Sequence, residues 1–155
     1  MKHDNRERGD RILAAVEIPA LGIWTGAQLS FAFLFAPLAF KAVGDPNRFN
    51  AVVSPMFAAL GPFGYTCGGI AFATALARAA GPAHRTADLA RAGAIALAVG
   101  GLAYHQATIL PAMAAIPDVT SAPYHALHER SRFIYAGVLL LGLGALIAAA
   151  ARPRT

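Results

Sequence analysis

Four long stretches without a single Lys, Arg, Asp or Glu constrain the fold of this chain more than any other feature. They cover residues 18–40, 49–77, 92–117 and 133–151. A helix needs about 20 mainly apolar residues to cross the hydrocarbon core of a bilayer. None of the stretches carries the regular polar stripe that a helix of a soluble bundle needs. We therefore predict four transmembrane helices.

The composition agrees with this prediction. Hydrophobic residues make up 57% of the chain and charged residues only 14%, whereas a soluble domain has about 25% charged residues. The first stretch exceeds the roughly 7–15 apolar residues of a signal peptide, so we expect it to remain as an anchor. The single cysteine, Cys67, excludes an internal disulfide and is expected to be a small packing residue.

Positive charge is distributed unevenly around the stretches. Of the 13 Lys and Arg residues, nine precede the first stretch, follow the last or join the second to the third. The positive-inside rule then places both termini in the cytoplasm. Topology and contact with anionic lipid explain the net charge of +5, so we expect no nucleic-acid partner.

These observations predict an all-α protein, a four-helix transmembrane bundle with up-down-up-down order, because short connections favour antiparallel neighbours. We expect a cytoplasmic arm at 1–11, a transmembrane domain at 12–151 and a cytoplasmic tail at 152–155. The spans are predicted at about 12–41, 50–78, 91–115 and 124–151. High Ala, Gly and Arg content without an organelle-targeting signal favours a bacterial cytoplasmic membrane.

Small residues recur at a spacing of four in the first two spans. Gly22, Gly26 and Ser30 form one series, and Gly64 and Gly68 form another. Such faces allow membrane helices to approach closely. We expect these faces to pack inside one bundle surrounded by lipid. The alternative is an interface in a homo-oligomer or in a larger membrane complex.

The sequence also contains an internal echo. Pro37 and Pro111 lie near the predicted outer ends of the first and third spans, 74 residues apart. The second and fourth spans open with the similar tetrapeptides FNAV and YHAL. Two related helical hairpins would explain this pattern. Chance similarity between apolar segments is the alternative.

Histidines gather in the predicted outer half. His125 and His128 lie at the entrance of the fourth span, and His105 lies deep in the third beside Gln106. In one interpretation polar neighbours satisfy His105, and the other two histidines face water. In the other, His105 with His128 or His125 lines a ligand pocket and binds haem axially.

A copper site is another form of this pocket. Met56 and Met113 are predicted at depths similar to those of His105 and His128. Thioether and imidazole donors favour copper(I). No CxxC, HExxH or CxxCH motif supports either cofactor, so haem or copper and no cofactor stay open.

Glu17 is the other polar residue inside a predicted span, one turn from the inner end. Ionisable residues within a membrane are costly, which makes them candidate functional residues. We expect Glu17 to pair with Arg11 or Arg91. A role in proton handling is the alternative.

Several short motifs follow one another in a characteristic order. Trp24-Thr-Gly26 precedes an aromatic run that ends in Pro37-Leu-Ala-Phe40, and the second span contains Ser54-Pro-Met-Phe57. The third span ends in Ile109-Leu-Pro111-Ala-Met113, and the fourth opens with His125-Ala-Leu127-His128-Glu-Arg-Ser131. This order resembles a family of small four-helix membrane proteins of unknown function that includes animal transmembrane protein 205.

The resemblance covers residues 12–151 and implies an integral membrane protein without an established reaction. His105 lies outside its motifs. The positions that the resemblance marks as important are Trp24, Gly26, Pro37, Pro111, Leu127, His128 and Ser131.

The leading functional hypothesis is a non-enzymatic membrane module, free or as an accessory subunit that packs against other proteins. The alternatives are a haem- or copper-binding protein that uses His105 and His128, and a small proton- or metal-linked transporter that acts as an oligomer. The chain shows no nucleophile and base at motif spacing, no phosphate-binding loop and no paired buried carboxylates.

Overall fold

The computed structural model of the chain describes residues 2–81 and 85–151, with side chains from Arg8 onward. It is all-helical over this part, and four helices are long and apolar enough to cross a membrane. This confirms the predicted all-α class and the prediction of four helices suited to cross a membrane. We call them the first to fourth spans: Arg8–Val43, Pro46–Ala79, Arg85–Ala114 and Ala122–Ala150.

The second and fourth spans are continuous α-helices, whereas the first and third each contain one π-helical turn. In the first, α-helix Lys2–Ser30 is followed by π-turn Phe31–Phe35 and α-helix Ala36–Val43. The third consists of Arg85–Tyr104, π-turn His105–Ile109 and Leu110–Ala114. Helix therefore begins within the segment predicted as an arm, and the tail predicted at 152–155 lies outside the described residues.

Each π-turn ends two residues before a proline, Pro37 or Pro111. Proline has no N–H to donate, and its ring pushes away the carbonyl four residues earlier. The wider turn removes that conflict: the Ala36 amide bonds to the Phe31 oxygen, and the Leu110 amide bonds to the His105 oxygen. Other prolines of the described helices lie in regular α-helix, so proline alone does not produce the turn.

The four spans form a ring in which each contacts the next and the fourth contacts the first. Where the first two spans contact each other, the residue numbers increase along one helix while they decrease along the other. Phe40 stacks edge-on against Phe49 and Phe31 against Phe57, with ring centroids 5.2 and 5.0 Å apart. Gly44, with φ 72°, ends the first span.

The central core is built around Trp24. Its ring lies against Gly64 and Gly68 of the second span, where an added Cβ would come within 2.9 and 3.4 Å of the indole. Leu21 and Leu102 are fully buried in the same cluster. An added Cβ would also clash with Leu102 at Gly64 and with Val99 at Gly68, so the Gly64 and Gly68 face packs within the bundle.

A second apolar cluster, which we call the outer apolar cluster, closes the end of the bundle nearest the loop between the third and fourth spans. It contains Ile109, Met113, Val119 and Tyr124, with Leu127 packed against it. Together the two clusters leave a short zone between them, and His105 lies in that zone.

Candidate functional site

A polar layer near the N-terminal end of the first span, which we call the inner polar layer, surrounds Glu17, whose side chain is fully buried. Arg78 Nη1 donates to Glu17 Oε2 at 2.8 Å, and Arg91 Nε donates to Glu17 Oε1 at 2.6 Å. One carboxylate therefore joins the first, second and third spans. Arg91 is one of the two partners that the sequence analysis named for Glu17.

Asp88 completes this layer. It is fully buried, and its Oδ1 lies 3.0 Å from Arg91 Nη2. Glu17 therefore contacts two guanidinium groups, and one of them, that of Arg91, also contacts Asp88. Sequence reasoning missed Arg78, although its position near the inner end of the second span puts it at the depth of Glu17.

A second polar layer surrounds His105, which is also fully buried. Its Nε2 lies 2.7 Å from Ser131 Oγ on the fourth span. The imidazole packs between Phe57 and Tyr135, with ring centroids 5.3 and 5.2 Å away. Ser131 is a position that the family resemblance marks as important, and this contact gives it a physical role.

Gln106 belongs to the same layer but bonds in another direction. Its Nε2 donates to the backbone oxygen of Phe57 at 3.1 Å. The side chain lies against Gly61, where an added Cβ would meet it at 2.8 Å. Glycine at position 61 therefore lets a polar side chain of the third span reach the backbone of the second.

Four buried polar atoms of this layer have no hydrogen-bond partner within the described part of the chain. They are Trp24 Nε1, Gln28 Oε1, His105 Nδ1 and the Tyr135 hydroxyl oxygen. Burying such groups without a partner costs free energy, about 1–3 kcal/mol each on protein scales. Gln28 is 3% exposed, and sequence reasoning missed it because a lone amide carries no motif.

Apolar packing separates the two layers. Leu21, Ile95 and Leu102 are fully buried in the cluster that lies between Glu17 and His105. Buried Thr25 and Thr74 also occur in this part of the bundle, and their hydroxyls donate to backbone oxygens of their own helices.

The outer histidines lie in other surroundings. The His128 ring stacks on Tyr124 with centroids 6.2 Å apart, and both His125 and His128 are exposed. The Tyr124 hydroxyl donates to Asn50 Oδ1 at 2.8 Å. His128 thus belongs to a surface network at the mouth of the fourth span, and the partner of His105 is Ser131.

The two methionines proposed as copper ligands are also apart. Met56 is 41% exposed and lines a surface groove, whereas Met113 is buried in the outer apolar cluster. In residues 2–81 and 85–151, no three His, Cys, Asp or Glu side chains are grouped so that they could hold a metal ion. Haem or copper binding by His105 and His128 stays a prediction.

The loop before the fourth span is fixed by Asp118. Thr120 donates to Asp118 Oδ1 from its hydroxyl at 2.7 Å and from its amide at 2.9 Å. These hydrogen bonds, the hydroxyl's first, hold the pKa of the Asp118 carboxyl below its usual value. The loop therefore favours the ionised carboxylate.

The outward surface of the first span carries an apolar groove of about 590 Å³ shared with the second span. Phe31, Leu34 and Phe35 line one side, and Met56 and Leu60 line the other. Ser30 also lines the groove, and so the series of small residues that starts at Gly22 leads into it.

The other positions marked by the family resemblance take structural places. Trp24 fills the central core, Leu127 packs against the outer cluster, and Pro37 and Pro111 follow the π-turns. Gly26 meets no heavy atom within 4 Å of an added Cβ, so packing inside this chain does not require glycine there.

No curated protein and no solved structure is detectably similar to this chain. Residues 20–120, more than half of the chain, match a domain of unknown function, DUF4149. The matched segment contains Glu17's partners Arg78 and Arg91 as well as Trp24 and His105. The chain therefore belongs to the DUF4149 family.

Proposed function

We propose that this protein is a non-enzymatic packing module of the membrane, which associates with another transmembrane helix through the first span. One contrast carries the proposal. Gly64 and Gly68 are filled by the side chains of this chain, whereas an added Cβ at Gly22 or Gly26 would meet nothing within 4 Å. In lipid, small residues at this spacing let two helices approach closely.

The interior supports a function at the surface. A transporter needs a polar route or a cavity between its helices, but the fully buried Leu21, Ile95 and Leu102 fill the space between the two polar layers. The groove beside Ser30 is instead on the outside, among apolar side chains that lipid or another helix contacts.

The orientation in the membrane is part of the proposal. We place both termini in the cytoplasm of a bacterial cell, with the spans in up-down-up-down order. The distribution of Lys and Arg and the opposite numbering of contacting residues support this arrangement. In a Cys67→Ala background, a membrane-impermeant maleimide should label Asn47→Cys but not Ala80→Cys in intact cells; the reverse pattern would invert the topology.

Kinship with the family of animal transmembrane protein 205 also belongs to the proposal. The order of the motifs supports it, and so do the structural places of Trp24 and Ser131, one in the central core and the other against His105. Those two contacts predict that both positions tolerate substitution poorly.

Site-specific photocrosslinking tests the packing function. A photoreactive residue at Gly26 should give one discrete protein adduct in native membranes, which mass spectrometry then identifies. The control position is Leu140, which is 68% exposed on the fourth span and should react with lipid alone. Equal lipid labelling at both positions would refute an interface on the first span.

A matched pair of substitutions gives a second test. Gly26→Leu adds bulk to the proposed interface at a position where an added Cβ meets no heavy atom within 4 Å. It should therefore leave folding intact and remove the adduct that a photoreactive residue placed at Ser30 forms. Gly100→Leu on the third span meets equally open space and should leave the adduct unchanged. If the two variants behave alike, the face of the first span has no special role.

A further inference from the structure

The polar layer around His105 contains a set of hydrogen-bonding groups that this chain does not satisfy by itself. Trp24 Nε1, Gln28 Oε1, His105 Nδ1 and the Tyr135 hydroxyl are buried without a partner in residues 8–81 and 85–151. Trp24, Gln28 and His105 are at most 3% exposed. Lipid offers no hydrogen bond to such groups, so they need a partner inside the bundle.

Two glycines of the second span show that Trp24 and Gln106 lie at neighbouring levels of the bundle. Trp24 and Gln28 are one turn apart on the first span. An added Cβ on Gly64 would lie 2.9 Å from Trp24 Nε1, and one on Gly61 would lie 2.8 Å from Gln106. Those two glycines are also about one turn apart on the second span.

Residues of the third and fourth spans lie at the same level of the bundle. His105 directly precedes Gln106, and its ring meets that of Tyr135 edge-on with centroids 5.2 Å apart. Phe57 packs against both rings, at 5.3 and 4.4 Å. These contacts therefore bring the rings of His105, Tyr135 and Phe57 together in one aromatic cluster.

The chemistry of the four groups is complementary to water. The indole N–H of Trp24 can only donate and the Gln28 oxygen can only accept, while the Tyr135 hydroxyl can do both. His105 Nδ1 takes whichever role its contact with Ser131 leaves. A water molecule offers two donors and two acceptor sites, and a buried water in proteins makes about three hydrogen bonds.

The Ser131 contact makes a second partner for His105 necessary. If Nε2 donates its proton to Ser131 Oγ at 2.7 Å, Nδ1 is a bare acceptor. If the serine hydroxyl donates instead, Nδ1 carries the proton and needs an acceptor. In either tautomer one nitrogen of a fully buried ring requires a further hydrogen bond.

We propose that Gln28, His105 and Tyr135, with Trp24 at the inner edge, form an internal site that binds one or a few water molecules inside the transmembrane bundle. The central and outer apolar clusters enclose the site on both sides. The π-turn that begins at His105 lies at the same level, and such turns often occur at functional positions. The site is independent of the packing function proposed for the first span.

Solid-state NMR of the full chain in phospholipid bilayers tests this proposal. With ¹⁵N-labelled histidine and leucine, magnetisation from water should reach the His105 ring nitrogens within milliseconds, although the ring is fully buried. His105→Gln assigns the signal by its loss. The amide of Leu102, fully buried in the apolar core, serves as the dry reference, and transfer to His105 no faster than to Leu102 would overturn the proposal.

Two tyrosine variants distinguish a specific water-binding site from water that is present without specific hydrogen bonds. Tyr135→Phe removes only the proposed donor and should cut water transfer to His105 severalfold. Tyr104 directly precedes His105 and is 52% exposed on the outside of the bundle. Tyr104→Phe removes its hydroxyl and should leave the transfer unchanged. Unchanged ¹³C spectra of the core confirm the fold of each variant.

Gln28→Leu provides an independent variant in case Tyr135→Phe alters ring packing. It keeps the side-chain volume and removes the acceptor, so transfer to His105 should again fall. If Gln28→Leu and Tyr135→Phe both give the transfer of the unaltered protein, these groups do not hold water and the proposal is wrong.

Discussion

Replacement of Glu17 by Gln perturbs the most connected polar contact of the bundle. The carboxylate is fully buried, and it accepts from Arg78 at 2.8 Å and from Arg91 at 2.6 Å. Glutamine keeps the volume and one acceptor oxygen but loses the negative charge. Arg78 and Arg91 would then lose the carboxylate that they share, while Asp88 would remain beside Arg91.

The magnitude follows from these contacts. Removal of one partner of a buried ion pair costs about 3–5 kcal/mol, because the remaining charge is left uncompensated. Asp88 lies 3.0 Å from Arg91 and still neutralises it, so the loss falls mainly on Arg78. We expect the free energy of unfolding to drop by about 3 kcal/mol, which is the lower end of that range.

Trp24 provides the assay. It is the only tryptophan of the chain and is 1% exposed between the glycines of the second span. Unfolding in mixed micelles by a denaturing detergent can therefore be followed by its fluorescence. Glu129→Gln, which neutralises an exposed carboxyl on the fourth span, is the control and should shift the free energy by less than about 0.5 kcal/mol.

A double variant separates charge balance from loss of contact. Glu17→Leu alone leaves Arg78 uncompensated, whereas Glu17→Leu with Arg78→Met removes both charges and leaves Arg91 with Asp88. The double variant should be more stable than Glu17→Leu alone, since apolar replacement of a whole buried pair is often tolerated. Additive losses would show that Glu17 and Arg78 are not energetically coupled. A Glu17→Gln variant as stable as the control would show that the layer contributes little.

Three further predictions concern packing, the second polar layer and the outer loop. Gly64→Ala should lower the free energy of unfolding by about 1–3 kcal/mol, because its Cβ would meet Leu102 and Trp24. Gly69→Ala, with nothing within 4 Å, should be neutral in the same fluorescence assay. Ser131→Ala should cost about 1–3 kcal/mol through the stranded imidazole nitrogen, whereas the exposed Ser30→Ala should not. Because the folded pKa of Asp118 is lowered, its contribution to loop stability is present above the unfolded pKa and is lost as pH falls through the folded one. The protection of the Thr120 amide against hydrogen exchange should decrease over the same pH range, and Asp118→Asn should remove this pH dependence.

Periodic absence of charge is sufficient to predict the spans, because the cost of burying ions in lipid acts on each segment separately. The pairing of Glu17 with Arg91 could also be predicted from the sequence, because both residues lie near the N-terminal ends of their spans. The turn at Gly44 also follows from local chemistry, because its φ of 72° favours glycine.

Contacts between spans could not be predicted in the same way. Whether His105 meets Ser131, 26 residues away, or His128 depends on the rotation of the fourth span about its axis. One position along a helix changes that direction by about 100°. The depth of His105 was therefore predictable, but its partner was not, and the same holds for the inward direction of Gln28.

The similarity between the two halves of the sequence has a structural counterpart in the π-turns of the first and third spans. The turns that begin at Phe31 and His105 are 74 residues apart, as are the prolines that follow them. Glu17 and Arg91, separated by the same 74 residues, bond directly to each other. In an arrangement of two related hairpins, equivalent residues meet where they lie near the axis that relates the halves.

Two identical halves would place like charges together at that point, which is costly in a buried site. Glutamate in one half and arginine in the other resolve the conflict. The same comparison pairs Phe31 with His105, so only one half carries a polar side chain at the second layer. If the two hairpins are related, divergence of the halves would account both for the charge pair that joins the spans and for the buried imidazole of the third span.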